Sequence, residues 1–120
     1  MSATQPHSRP VPAGRFHVHV EPDRDTVRVC PAGEVDLATV GEVRSRIDEL
    51  VAAGFQRLVI DLRQTTFLDS SGLRLLLEVD AASRAAAWKL AIIEGPLAVQ
   101  RAFEITGLRS VLPFEGTGTP

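Results

Sequence analysis

Two adjacent hydroxyls, Ser70 and Ser71, stand between an acid and a glycine in Asp69-Ser70-Ser71-Gly72. A serine can accept a phosphoryl group, and these are also the residue types that cap a helix start. Upstream, Leu58, Val59 and Ile60 form an apolar run suited to a strand covered on both faces. Downstream, apolar residues recur at Leu73, Leu76, Leu77 and Val79 with helical spacing. The hydroxyls therefore fall at a helix N-terminus, where unpaired N–H groups and a partial positive charge suit an anion. A phosphoryl group there is tolerated by the helix end and opposed by Asp69, which is the physics of a reversible switch. The plainer alternative is that Asp69 or Ser70 only caps the helix. Spacing alone leaves both open.

Other chemistry finds less support. A hydrolase nucleophile at Ser70 or Ser71 lacks the first glycine of G-x-S-x-G, and all three histidines, His7, His17 and His19, precede it. His17, His19 and Cys30 fall on one face of a proposed hairpin, with Cys30 opposite His17. Three such side chains can bind zinc, but that face also carries Glu21, Thr26 and Arg28 and reads as a solvated surface without a metal. Gly33 is isolated from any phosphate-loop pattern. Arg101 and Arg109 read as solvated or dipole-compensating groups near the ends of a third helix. Leu75 lies off the apolar stripe of its helix, which leaves a partner surface or burial against the first helix as alternatives. Asp36 either caps the first helix or joins Ser70 on one docking surface, and the two roles are compatible.

The elements that must position these residues read β-β-α-β-α-β-α, with a short last strand as an option. Phe16, Val18 and Val20 alternate with polar residues, Pro22 to Asp25 form a turn, and Val27 and Val29 resume the alternation. These five apolar side chains are expected on the core side, with Pro31 at the strand's end or in a bulge. The first helix is expected from about Leu37 to Ala53 and the second from about Ser71 to Ala87. A strand follows at Lys89 to Glu94. Pro96 then opens a third helix that Gly107 closes. Residues 1–14 and 116–120 read as loose tails around one domain at 15–115.

Composition sets the bounds. A chain of 120 residues fits one domain with a single core. It is 44% hydrophobic and 23% charged, ordinary for a globular protein. A net charge of −2 gives no basic footprint for nucleic acid. The single cysteine, Cys30, excludes an internal disulfide and fits a reducing compartment. No apolar run approaches the ~20 residues of a membrane span, and the N-terminus lacks an apolar signal core, so a cytoplasmic location without membrane partners is expected.

The run FLDSSGLRLLL after a VIDL strand resembles the signature of the STAS domain, as found in bacterial anti-sigma factor antagonists. Gly33-Glu34-Val35-Asp36 resembles that family's G-E-L/V-D element, and the similarity extends from about Phe16 to about Phe114. The resemblance implies an α/β STAS-like fold, a mixed four- to five-stranded sheet packed with about three main helices. It implies that Ser70, the first serine after the aspartate, is phosphorylated by an anti-sigma factor serine/threonine kinase and restored by a phosphatase. Asp36, Asp69, Ser71, Gly72 and Arg74 are then expected at the surface that meets this kinase. The chain itself is expected to be no enzyme and to need no cofactor, since ATP and magnesium belong to the kinase. A STAS scaffold that assembles with a transporter or signalling complex is the alternative, and a nucleotide-binding module a third class. Two features depart from the family pattern. Arg74 stands where a small residue is usual, and the residues after Phe114 cannot form a closing amphipathic helix.

Overall fold

The computed structural model describes residues 15–115. Strand β1 (His17–Asp23) turns at Arg24 and Asp25 into β2 (Thr26–Val35), and α1 (Val40–Ala52) follows. Then come β3 (Arg57–Asp61), β4 (Thr65–Leu68), α2 (Ser70–Ala86), β5 (Lys89–Ile93), α3 (Leu97–Thr106) and β6 (Phe114–Glu115). The sheet runs β1-β2-β3-β5-β6, with β4 paired to the end of β2. Only β1 is antiparallel to its neighbour, so the sheet is mixed, as expected.

All three helices lie on one face of the sheet. Val27 and Val29 of β2, Leu58 and Ile60 of β3, and Ile92 of β5 share a core with Val43 and Ile47 of α1, Leu75, Leu76 and Val79 of α2, and Val99 and Phe103 of α3. Successive strand side chains alternate between faces, so residues two apart build this core together. The five apolar residues assigned to the hairpin's inner side are there: Val18, Val27 and Val29 are buried, and Phe16 and Val20 pack against them. Leu75 is buried rather than part of a partner surface, whereas Leu77 is exposed.

Three details differ from the sequence expectation. The hairpin register pairs His19 with Cys30 and His17 with Ala32. The loop is two residues shorter than expected, with Arg24 at φ 62°, and the two-residue slip leaves every side chain on its expected face. Pro31 sits inside β2 rather than at its end. It lies between the stretch paired to β3 (Thr26 to Val29) and the stretch paired to β4 (Gly33 to Val35), where that edge needs no N–H donor. Its carbonyl accepts from buried Thr65 Oγ1 at 2.8 Å. Finally, β4 intervenes between the VID strand and α2, in a segment expected to lead straight into the helix.

The face away from the helices carries a polar set around Asp61. Asp61, 5% exposed, accepts from the Arg63 backbone N–H at 3.0 Å, from Arg63 Nη2 at 2.7 Å and from Arg28 Nη1 at 3.3 Å. Burial pushes this carboxyl upward in pKa, but the hydrogen bonds and charge of Arg63 and the charge of Arg28 outweigh it and hold the group below the usual range. Cys30 is buried beside it, and burial with the Asp61 charge pushes its thiol up to about 11. Among the described residues no group of three His, Cys, Asp or Glu side chains could hold a metal ion. No helix there is long and apolar enough to cross a membrane.

Candidate functional site

Strands β2 and β4 are parallel and adjacent, with Val35 paired to Leu68, so both chains leave the sheet at the same edge. That edge is where open α/β sheets place their sites. Asp36 leaves from β2 and Asp69 from β4. The Asp69 N–H donates to the Val35 carbonyl at 3.1 Å and ties the two exits together. The glycine of the G-E-V-D element has a local cause. β2 is irregular between Gly33 and Glu34, and Gly33 adopts φ 115°, which side chains disfavour.

Asp69 is the N-cap of α2. Its Oδ1 accepts from the Ser71 N–H at 2.9 Å and from the Gly72 N–H at 3.3 Å, and the Ser71 hydroxyl also donates to it. The Ser71 hydroxyl is the largest cause of a carboxyl held below its ordinary range, and the N–H groups of Gly72, Ser71 and Leu37 add to it. Leu37 belongs to the loop after β2, so the Asp69 carboxylate also feels that exit. The two serines differ as a result. Ser71 is half-buried with its hydroxyl engaged, whereas Ser70, in the first turn, is exposed and makes no side-chain hydrogen bond among the described residues.

Asp36 organises the other exit. Its Oδ1 accepts from the Ala38 N–H at 3.0 Å and the Thr39 N–H at 3.2 Å, while its carbonyl accepts from the Val40 N–H at 2.8 Å. α1 therefore starts at Val40 rather than Leu37: the Asp36 turn precedes the helix, and Thr39 is its N-cap. Short polar side chains favour such turns over helix interiors.

Gly72, expected at the partner surface, is buried. A Cβ at this position would lie 2.6 Å from Leu68 Cδ1 and 3.1 Å from Val35 Cγ1, so the glycine lets α2 sit directly on the ends of β4 and β2. Its contribution to the edge is positional. Gly72→Ala is expected to lower stability by about 1–3 kcal/mol, the usual cost of overpacking, read as a shift of the urea midpoint. An unchanged midpoint would mean that this contact is slack.

Two apolar side chains on the edge carry no sequence signal. Leu37 is 81% exposed beside Asp36, and Phe67, paired across the ladder with Glu34, is 50% exposed. Neither position announces itself: in the sequence Leu37 reads as the start of a helix, and the residues around Phe67 show no strand alternation. Arg74 is exposed one helical turn beyond Ser70. A groove of about 330 Å³ between α1 and α2, lined by Ile47, Val51, Val79 and Trp88, lies along the C-terminal halves of both helices, away from this edge.

Comparison with known proteins agrees with this geometry. The STAS domain family profile matches residues 18–117. BtrV of Bordetella bronchiseptica, provisionally named an anti-sigma factor antagonist, is 31% identical over 84 residues, 70% of this chain and 72% of BtrV. The crystal structure of an anti-sigma factor antagonist from Mycobacterium paratuberculosis is 28% identical, with a TM-score of 0.71 over 85% of this chain and 86% of that one. The Bacillus protein SpoIIAA shares the fold in two forms. Its unphosphorylated form is 23% identical, with a TM-score of 0.68 over 85% of this chain and 89% of that one. Its phosphorylated form is 21% identical, with a TM-score of 0.63 over 85% of this chain and 92% of that one. The chain belongs to the STAS domain family.

Proposed function

We propose that this chain is a cytoplasmic anti-sigma factor antagonist that works by partner switching. Its unphosphorylated edge, built from Asp36, Leu37, Phe67, Asp69 and Ser70, docks on an anti-sigma factor with serine/threonine kinase activity and displaces a sigma factor. The kinase then transfers the γ-phosphoryl group of ATP to Ser70 Oγ. A new O–P bond forms, the bond to the β-phosphate oxygen breaks, ADP leaves, and the hydroxyl proton passes to a base on the kinase. A phosphatase reverses the step by hydrolysis. The chain contributes binding and an acceptor hydroxyl, not catalysis.

One observation carries this reading. Of the two serines at the helix start, Ser70 alone is exposed with a free hydroxyl among the described residues, while Ser71 donates to Asp69. Two further features support it. Leu37 and Phe67 give the edge exposed apolar surface of the kind that anchors protein contacts. A protein of the same fold is known in both phosphorylated and unphosphorylated forms.

The test is site mapping. Incubation with the cognate kinase and ATP, followed by peptide mass spectrometry, is expected to place the phosphoryl group on Ser70. Labelling is expected to disappear in Ser70→Ala and persist in Ser71→Ala. The reverse pattern would move the acceptor to Ser71 and contradict the assignment.

A further inference from the structure

The phosphorylated form poses an electrostatic problem that the unphosphorylated structure already bears on. A phosphoserine at position 70 carries close to two negative charges at neutral pH. The helix end offers it little, because Asp69 already occupies the N–H groups of Ser71 and Gly72. Two carboxylates, Asp69 itself and Asp36 on the adjoining loop, oppose it.

The side chain placed to answer this charge is Arg74. Ser70 and Arg74 are four residues apart on α2, so they are neighbours on one helix face. The natural competitor for Arg74 is Glu78, four residues further on. Glu78 is instead engaged by Arg44, reaching across from α1. Among the described residues no acidic side chain pairs with Arg74, although it is exposed and its guanidinium has a fork of donors suited to phosphate oxygens.

Resting on the phosphorylation of Ser70 proposed above, we infer that Arg74 is an internal clamp for the phosphoryl group: its guanidinium pairs with the phosphate of Ser70 across one turn of α2. The clamp gives phosphorylation a double effect. It adds a bulky anion to the docking edge, and it withdraws from that edge the cation nearest to Ser70 on the helix. Arg74 is thus a positioning residue for the switched-off state, with no part in phosphoryl transfer.

The test does not depend on any kinase. Phosphoserine is installed at position 70 during translation of the full chain, with Arg74 intact, as Arg74→Ala and as Arg74→Lys. The second ionisation of the phosphate is followed by phosphorus NMR at low salt, where such pairs are least screened. A paired dianion holds its charge to lower pH. The midpoint is therefore expected to rise by about 0.3 pH units or more in Arg74→Ala, and by less in Arg74→Lys, which keeps the charge but not the fork. Amide spectra away from the α2 start are expected to superimpose, as for an exposed substitution. Equal midpoints with Arg74 and in Arg74→Ala would overturn the clamp. Because the phosphate is supplied during translation, that result leaves the identity of the kinase acceptor untouched. Conversely, a chain that no kinase labels at Ser70 still reports whether Arg74 holds the group.

Discussion

Phosphorylation of Ser70 is expected to weaken binding to the anti-sigma factor by more than a hundredfold, on the order of 3 kcal/mol. The cause is local. A dianionic group would replace a neutral hydroxyl within the proposed contact beside Asp69 and Asp36, adding repulsion and a desolvation cost that no new bond to the partner repays. Ser70→Asp is expected to move in the same direction by less, since a carboxylate carries one charge and fewer acceptor oxygens. Asp36→Ala should also weaken docking, because the Asp36 carboxylate holds the Ala38 and Thr39 N–H groups in the turn that presents Leu37. Both substitutions should leave folding stability within about 1 kcal/mol, as for side chains outside the core. Calorimetric titration checks the first claim and urea unfolding the second. Parent-like affinity in both variants would place the docking surface elsewhere.

The largest effect on stability is expected at a residue far from the switch. Phe103 of α3 is fully buried, and its ring meets that of Phe114 edge to face, with centroids 4.9 Å apart and planes at 77°. Arg109 lies over the other aromatic, 5.5 Å from the Phe114 centroid, and pairs with Glu94. This corner fastens β6 and α3 to the rest of the sheet. Phe103→Ala removes a large apolar side chain and leaves a cavity, so a loss of about 3–5 kcal/mol is expected. A domain of this size has a net stability of only about 5–15 kcal/mol, so the variant should be partly unfolded under mild denaturant. Urea unfolding followed by circular dichroism reads it. A loss below about 1 kcal/mol would show that the aromatic corner is not part of the cooperative core.

How much of this was legible in the residues depends on how local the signal is. Helix α3 is legible from its boundaries, because the Pro96 ring fixes its own φ at the start and Gly107 tolerates the left-handed turn, φ 77°, that ends the helix. The hairpin's faces were legible from alternation, while its register was not. Alternation is blind to a slip of two, and the loop length that sets the register depends on Arg24 adopting a left-handed conformation. Strand β4 is not legible because Thr65-Thr66-Phe67-Leu68 does not alternate cleanly: Thr65 and Leu68 are buried, while Thr66 and Phe67 are exposed. Its partner is the end of β2, many residues away in the chain, and such a pairing leaves no short-range mark.

At the site, the residue types were legible and their division of labour was not. Asp69, Ser70 and Ser71 all suit a helix start. Only the direction of the Ser71 hydroxyl, toward Asp69, separates the engaged serine from the free one. In the sequence Asp61 is only the acid of the VIDL strand, yet it is buried and tied to Arg63 and Arg28 where β3 turns toward β4. Nothing in the sequence marks it, because its partners come from the turn that follows it and from the neighbouring strand β2.

The central claim is that the unphosphorylated chain frees a sigma factor and that Ser70 controls this. It is tested most directly by displacement. A fluorescently labelled sigma factor is bound to the cognate anti-sigma factor, and its polarisation is followed as the chain is added in unphosphorylated form or with phosphoserine at position 70. The unphosphorylated chain is expected to lower the polarisation to that of free sigma factor. The phosphorylated chain should need more than a hundredfold higher concentration to do the same. Equal displacement by both forms, or none by the unphosphorylated chain, would contradict the account.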